Sequence, residues 1–324
     1  MTCCSKSIIA DILKAREDKG GIVNVYYVAC GGSYAGLHPG KYFLQSEAKK
    51  VTVDHYTANE FCHATPKALG PNSIVITQSH SGTTPETVKA AEIAQKAGAA
   101  SVVITFDDQS PLAKNGDYVL KYEAKATADM TGMAFGLKLA VEILNQIEGY
   151  ENYDEMMNGF DRIDGIVKHA KEFLTPRAKV FAEEYKDEKL IYMMGSGANY
   201  DVAYSFAICL LMEMQWVNSS AIHSGEYFHG PFEITDRETP FIILMSEGRT
   251  RPLDQRALDF LNRFAEKVII LDAKELGLET IDDKVSEFFN PLLMGAALGC
   301  YSYELSIARK HPLSCRRYMW KLQY

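Results

Sequence analysis

The stretch "NSIVITQSHSGTTPETVKAAEIAQKAGAASVVITFDD", residues 72–108, decides how the chain reads. An apolar, β-branched run from Ile74 to Thr77 gives way to a cluster of hydroxyls around Gly82. Pro85 and Glu86 then open a segment with helical spacing, and Val102, Val103 and Ile104 form a second apolar run. Short apolar runs bounded by turn signals predict buried strands, and the order strand, polar turn, helix, strand is the unit of a parallel sheet.

The order returns later. "TPFIILMSEGRTRPLDQRALDFLNRFAEKVIILDA", residues 239–273, repeats it with strands predicted at Ile242 to Leu244 and Val268 to Leu271. Upstream, "NVYYVACGGSYAGLHPGKYFLQ" (24–45) and "KLIYMMGSGANYDVAYSFAICLLMEM" (189–214) share the order of apolar run, small-residue turn and apolar helix. Two copies of an α/β unit predict tandem domains, each a doubly wound parallel sheet with helices on both faces. The expected boundaries are an N-terminal helix over 1–20, a first domain over 21–147, a helical connector over 148–187, a second domain over 188–310 and a tail over 311–324. Within the connector, the Thr175-Pro176 pair is expected to separate two helices. "SAIHSGEYFHGPFEI", 220–234, reads as a loop between apolar segments.

Composition narrows the class. With 324 residues, 47% apolar and 23% charged, the chain can bury two ordinary cores without disulfide or metal staples. A net charge of −8 argues against a nucleic-acid surface. Seven scattered cysteines include no C-x-x-C pair, which suits a reduced cytoplasm. The N-terminus carries Asp11 and Lys14 where a signal peptide needs an apolar core, and Ile8, Ile9, Ile12 and Leu13 are spaced for a short amphipathic helix. Neither export nor a membrane span is expected, and no His/Cys/Asp/Glu spacing suggests a metal.

Ligands of open α/β sheets sit outside the carboxyl ends of the strands, so the turns there are the first candidates. "CGGSYAG" places Gly31, Gly32 and Ser33 between strand and helix; "TQSHSGTTPET" places Ser79, Ser81, Thr83 and Thr84 around Gly82, directly before a helix. Hydroxyls and helix N-terminal amides together can cradle a phosphate, although capping alone also accounts for such residues. Neither a Walker A lysine nor the dinucleotide G-x-G-x-x-G spacing is present, so no nucleotide cofactor is expected.

Glu213 is the only charge in "SFAICLLMEMQW". It lies either on a solvated stripe or partly desolvated, and desolvation suits a general base. Sixteen positions later His229 precedes Gly230 and Pro231, which arrest the chain, and an imidazole there could pass a proton at neutral pH. His223 suits a hydrogen-bonding role, Glu226 and Glu233 suit helix ends or salt bridges, and Tyr227, Phe228 and Phe232 suit packing.

These motifs resemble those of tandem SIS (sugar isomerase) domain proteins, which bind phosphosugars. "CGGSYAG" and "SHSGTTPET" are similar to the phosphosugar signatures of the first domain, and Glu213 through "SGEYFHGP" to the catalytic signature of the second. The interval from Glu213 to His229 is similar to that in the isomerase domain of glucosamine-6-phosphate synthase. Closer still are the fructosamine-6-phosphate deglycases, above all the fructose-asparagine type, which "MEMQW", "HSGEYFHGPFEIT" and "RRYMWK" resemble. The resemblance implies an Amadori substrate, an amino acid carried on carbon 1 of fructose 6-phosphate, held by Ser33, Ser79, Ser81 and Thr84 beside Gly31 and Gly32. Glu213 is the implied base and His229 the implied acid, with no cofactor and no metal. It also implies a homodimer whose histidine loop reaches the neighbouring subunit's site, with the tail residues Arg316, Arg317 and Lys321 near it. "HGPFEIT" and the tail lean toward aspartate or asparagine as the released amino acid, lysine remaining open, and Arg249 and Arg251 are cations that could meet a carboxylate. The alternatives are an aldose-ketose or amino-sugar phosphate isomerase and a non-catalytic phosphosugar sensor. The sensors often carry a helix-turn-helix domain, for which the roughly twenty residues before the first strand are too few.

Overall fold

The computed structural model describes residues 2–123 and 125–323. Met1, where the predicted N-terminal helix begins, and Tyr324, where the tail ends, lie outside the described residues. The chain forms two compact units, Met1–Met157 and Asn158–Tyr324.

In the first unit five strands, β1 (Asn24–Ala29), β2 (Thr52–Thr57), β3 (Ser73–Ser79), β4 (Ala100–Thr105) and β5 (Tyr118–Lys121), form a wholly parallel sheet in the order β2-β1-β3-β4-β5. Strand alternation decides which helices cover which face. Tyr26, Val28 and Val75 pack with Ala58, Phe61, Ala90 and Ala94 of α3 (Ala58–His63) and α4 (Pro85–Lys96). Tyr27, one residue out of step with Tyr26, turns to the opposite face, where its hydroxyl reaches Gly136 O. That face carries α2 (Gly31–Glu47) and α5 (Gly132–Glu148), with α1 (Thr2–Lys14) packed on α5 through the buried Ile8, Ile9 and Ile12. The helices α2 and α5 touch backbone to backbone. A Cβ on Gly40 would lie 2.5 Å from Gly136 O, so only glycine permits the approach.

The second unit repeats the plan with β6 (Leu190–Gly195), β7 (Asn218–His223), β8 (Phe241–Met245) and β9 (Val268–Asp272), all parallel in the order β7-β6-β8-β9. The long α6 (Tyr153–Tyr185) begins near the division between the units. It is followed by α7 (Tyr200–Ser205), α8 (Arg251–Phe264) and α9 (Asn290–Ala308). Met194, Ile243 and Met245 meet Ala257, Leu258 and Leu261 of α8 to form the core of one face.

Three local readings change. Residues 153–185 are a single helix running through Pro176 rather than two helices. Proline removes one backbone hydrogen bond, but Leu174, Ala178, Phe181 and Ala182 form a buried stripe that carries the helix across it. The stretch 220–234 is not wholly loop: Ser220 to His223 belong to the edge strand β7, followed by a turn and a short 3-10 turn, Pro231–Ile234. Gly31, Gly32 and Ser33 are the first turn of α2 rather than a connection before it. No helix among the described residues is long and apolar enough to cross a membrane.

Candidate active site

In both sheets the strand order reverses beside the first strand, between β1 and β3 and again between β6 and β8. Crevices for ligands open at such switch points, outside the carboxyl ends of the strands. The first crevice is flanked by the start of α2 and by residues 79–84, the two turns singled out in the sequence.

The first crevice is built from hydroxyls. Ser79, at the end of β3, is buried; its Oγ accepts from the Gly82 amide at 3.1 Å and lies 3.0 Å from Thr84 Oγ1. Ser81 is exposed, 2.8 Å from Thr83 Oγ1, and its Oγ accepts from the Thr83 amide. Ser33 is half-buried, and its hydroxyl has no protein partner among the described residues. The Ser33 amide donates to Cys30 O at 3.1 Å, so the donors left at the start of α2 are the amides of Gly31 and Gly32. Ser79 therefore shapes the loop, while Ser33, Ser81 and Thr84 present hydroxyls along its rim. Burial pushes the Cys30 and Cys62 thiols up, and Glu86, in the first turn of α4, adds to the effect. His80 stacks on Phe106 at 5.2 Å, and its Nδ1 lies 3.0 Å from the hydroxyl of Tyr122, a phenol that burial pushes up to about 12.

Gly82 is the hinge of this loop. Its φ is +65°, and a Cβ there would sit 2.0 Å from Oγ of the buried Ser110. Gly82→Ala should cost about 2–4 kcal/mol through strain and overlap together and should weaken phosphosugar binding, both readable from thermal unfolding with and without sugar phosphate. An unchanged transition and unchanged ligand shift would remove the loop from the site.

The second crevice has the same position and the opposite chemistry. The Ser246 amide donates to Oδ2 of the buried Asp254 at 3.0 Å, and the Arg249 amide donates to Oε2 of Glu287 at 3.0 Å. Burial pushes the Asp254 carboxyl up from the ordinary range. Amides that could have met an anion are already bonded to the protein's own carboxylates. The same contacts engage the two arginines considered for an amino-acid carboxylate: Arg249 pairs with Glu287, and Arg251 pairs with Asp272 through both nitrogens at 2.8 and 2.7 Å.

Glu213 lies elsewhere in this unit. The helix that starts as α7 continues over Phe206–Met214 with π-type hydrogen bonding, a widened geometry often found at functional sites. Trp216, at φ +56°, ends it. Glu213 lines a cavity of about 520 Å³ whose walls include Met212 and Trp216 on one side and Arg316, Arg317 and Tyr318 of the tail on the other. Its side chain is 22% exposed, and its Oε1 takes an ion pair from Arg316 at 2.7 Å. The Arg317 guanidinium lies 4.1 Å over the Trp216 ring, and no carboxylate pairs with it among the described residues.

His229 is not among the residues lining that cavity. It is exposed in the turn after β7, and its amide donates to Glu226 O at 2.9 Å. The turn itself is firmly seated: Tyr227 is fully buried, its hydroxyl bonds Thr235, and Phe228 and Phe232 pack on Phe260. His223 has a structural role, accepting the Gly225 amide at Nδ1 and packing on Tyr200.

Residues 23–146 and 184–277 match the SIS domain. The chain is 45% identical over 305 residues to fructosamine deglycase FrlB of Bacillus subtilis (strain 168), covering 94% of this chain and 93% of that protein. The chain belongs to the SIS-domain family. A second relative, fructoselysine 6-phosphate deglycase of Escherichia coli (strain K12), is 26% identical over 312 residues, 96% of the SIS chain and 88% of the relative. A crystal structure from Salmonella typhimurium LT2, described as a phosphosugar isomerase, superposes with a TM-score of 0.97 at 47% identity, covering 100% of this SIS chain and 97% of that one. The first crevice and Asp254 of the second fall within the SIS matches, whereas Glu287, α9 and the tail, with Arg316, lie beyond residue 277.

The sequence pointed to Glu213 but not to its guanidinium partner. The only available signal was the resemblance that set "RRYMWK" near the site. The plug of the second crevice left no signal at all, because Asp254 and Glu287 reach it from separate helical elements, α8 and the 3-10 turn Ser286–Phe289.

Proposed function

We propose that this SIS protein is a deglycase of phosphorylated Amadori compounds, releasing glucose 6-phosphate and a free amino acid. The observation that carries this reading is the 45% identity to a fructosamine deglycase along almost the whole of both chains. The hydroxyl-rich crevice of the first unit supports a phosphate-binding role for Ser33, Ser79, Ser81 and Thr84, with the backbone of Gly31 and Gly32 beside them. The second crevice, with carboxylates on its amides, does not suit a phosphate.

In the proposed chemistry Glu213 takes a proton from carbon 1 of the open ketose while an acid, assigned to His229, protonates the oxygen on carbon 2. The resulting enaminol regains a proton at carbon 2 and becomes the aldose Schiff base. Water then adds across the C=N bond, and the amine leaves with glucose 6-phosphate as the other product. General acids and bases suffice, because the substrate carries its own carbonyl and nitrogen. An exposed His229 that does not line the cavity of Glu213 favours a homodimer in which each histidine serves the partner's site. Aspartate is the amino acid we assign to the substrate; with Arg249 and Arg251 both engaged in ion pairs, Arg317 is the better candidate for its carboxylate.

The test couples glucose 6-phosphate release to a dehydrogenase, with fructose-aspartate 6-phosphate, fructoselysine 6-phosphate and fructose 6-phosphate offered separately. Faster release from the aspartate conjugate supports the reading in full. Release only from the lysine conjugate overturns the amino-acid assignment, and turnover of fructose 6-phosphate alone favours an isomerase.

A further inference from the structure

We infer that Arg316 is the positioning residue for Glu213, a role that rests on the deglycase reading. The contact is an ion pair without the two hydrogen bonds of a bracing fork. A terminal nitrogen of Arg316 lies 2.7 Å from Oε1 of Glu213, and Oε2 accepts no hydrogen bond among the described residues. In the same unit the Arg251–Asp272 pair engages both carboxylate oxygens. A brace for stability favours that two-point geometry, whereas a base needs one oxygen held and the other open.

The tail is folded around this guanidinium. A second nitrogen of Arg316 donates to Leu313 O at 2.8 Å and Cys315 O at 2.7 Å, the Trp320 ring lies 5.1 Å from its Cζ, and Lys321 donates to Arg316 O. The arginine side chain is 7% exposed, and its Nε–H is buried with no acceptor among the described residues. An unsatisfied buried donor works against stability, so this placement is poorly explained as a scaffold contact. It is explained if the fork is set by where Oε1 must be held. The long side chain of Glu213, on a widened helix, would otherwise sample several rotamers above the cavity.

The experiment measures kcat and KM for fructose-aspartate 6-phosphate with Arg316→Met and Arg316→Lys, each alone and combined with Glu213→Gln. Arg316→Met should lower kcat about 10–100-fold with KM within about threefold, Arg316→Lys should fall between it and wild type, and neither should lower kcat further once Glu213 is glutamine. A second readout needs no turnover: carbodiimide-driven amidation of Glu213, mapped by mass spectrometry, should be several-fold faster in Arg316→Met. Near wild-type kcat in Arg316→Met, losses that multiply with Glu213→Gln, or unchanged amidation overturn the role. Should Arg316→Met not fold, Arg316→Lys decides on the same criteria. A silent wild type would remove the deglycase reading and this role together; an active wild type with indifferent arginine variants removes this role alone.

Discussion

Glu213→Gln is expected to lower turnover by about 10²–10⁴-fold while leaving the thermal transition close to that of the wild type. Glutamine keeps the shape of the side chain and leaves an amide oxygen facing Arg316, so the buried guanidinium keeps a polar neighbour. Alanine does not. Glu213→Ala strands a charge that is 7% exposed, and removing one partner of a buried pair costs about 3–5 kcal/mol. The two substitutions therefore separate chemistry from stability. Glutamine should remove kcat alone, whereas alanine should remove kcat and lower the melting temperature. Steady-state kinetics and thermal unfolding of both variants check this, and a glutamine variant with near wild-type turnover would remove Glu213 from the proton transfer.

His229→Ala should be comparably severe, about 10²–10⁴-fold in turnover, with almost no change in stability. The imidazole is exposed, and the turn that carries it is held by Tyr227, Phe228 and Phe232 rather than by the histidine. The more informative measurement mixes two inactive proteins. If His229 acts in the partner's site, a dimer with one Glu213→Gln chain and one His229→Ala chain has one intact site, and random exchange should restore about a quarter of wild-type activity. No recovery after verified exchange would place Glu213 and His229 of one chain in one site, or remove the dimer from the proposal.

The fold was legible wherever strands are buried on both faces. β1, β3, β4, β6 and β8 are continuous apolar runs, and their order alone predicts two parallel sheets. The edge strand β9 was legible too, but β2 and β7 were not. β2 reads "TVDHYT" and β7 "NSSAIH", sequences whose exposed side carries polar residues, so their alternation is too weak to separate from loop. That is why the first residues of the 220–234 stretch read as connection. Local hydrogen bonding follows from local sequence, which is why the hydroxyl loop at 79–84 could be found: its bonds span two to five residues. Long-range partners do not, and the Glu213–Arg316 pair joins positions about a hundred residues apart. Nor does periodicity reveal π-type widening in Phe206–Met214, because a run apolar at every position but Glu213 tolerates either winding.

The plugged crevice of the second unit has a consequence for counting. A duplicated fold invites the expectation of two anion sites per chain, yet in the second unit the amides that would form one donate to Asp254 and Glu287. Inorganic phosphate titrated into the protein should therefore saturate at one equivalent per chain. On the proposed reading the repeat doubles the scaffold without doubling the valence, and the second half contributes the proposed base Glu213 instead.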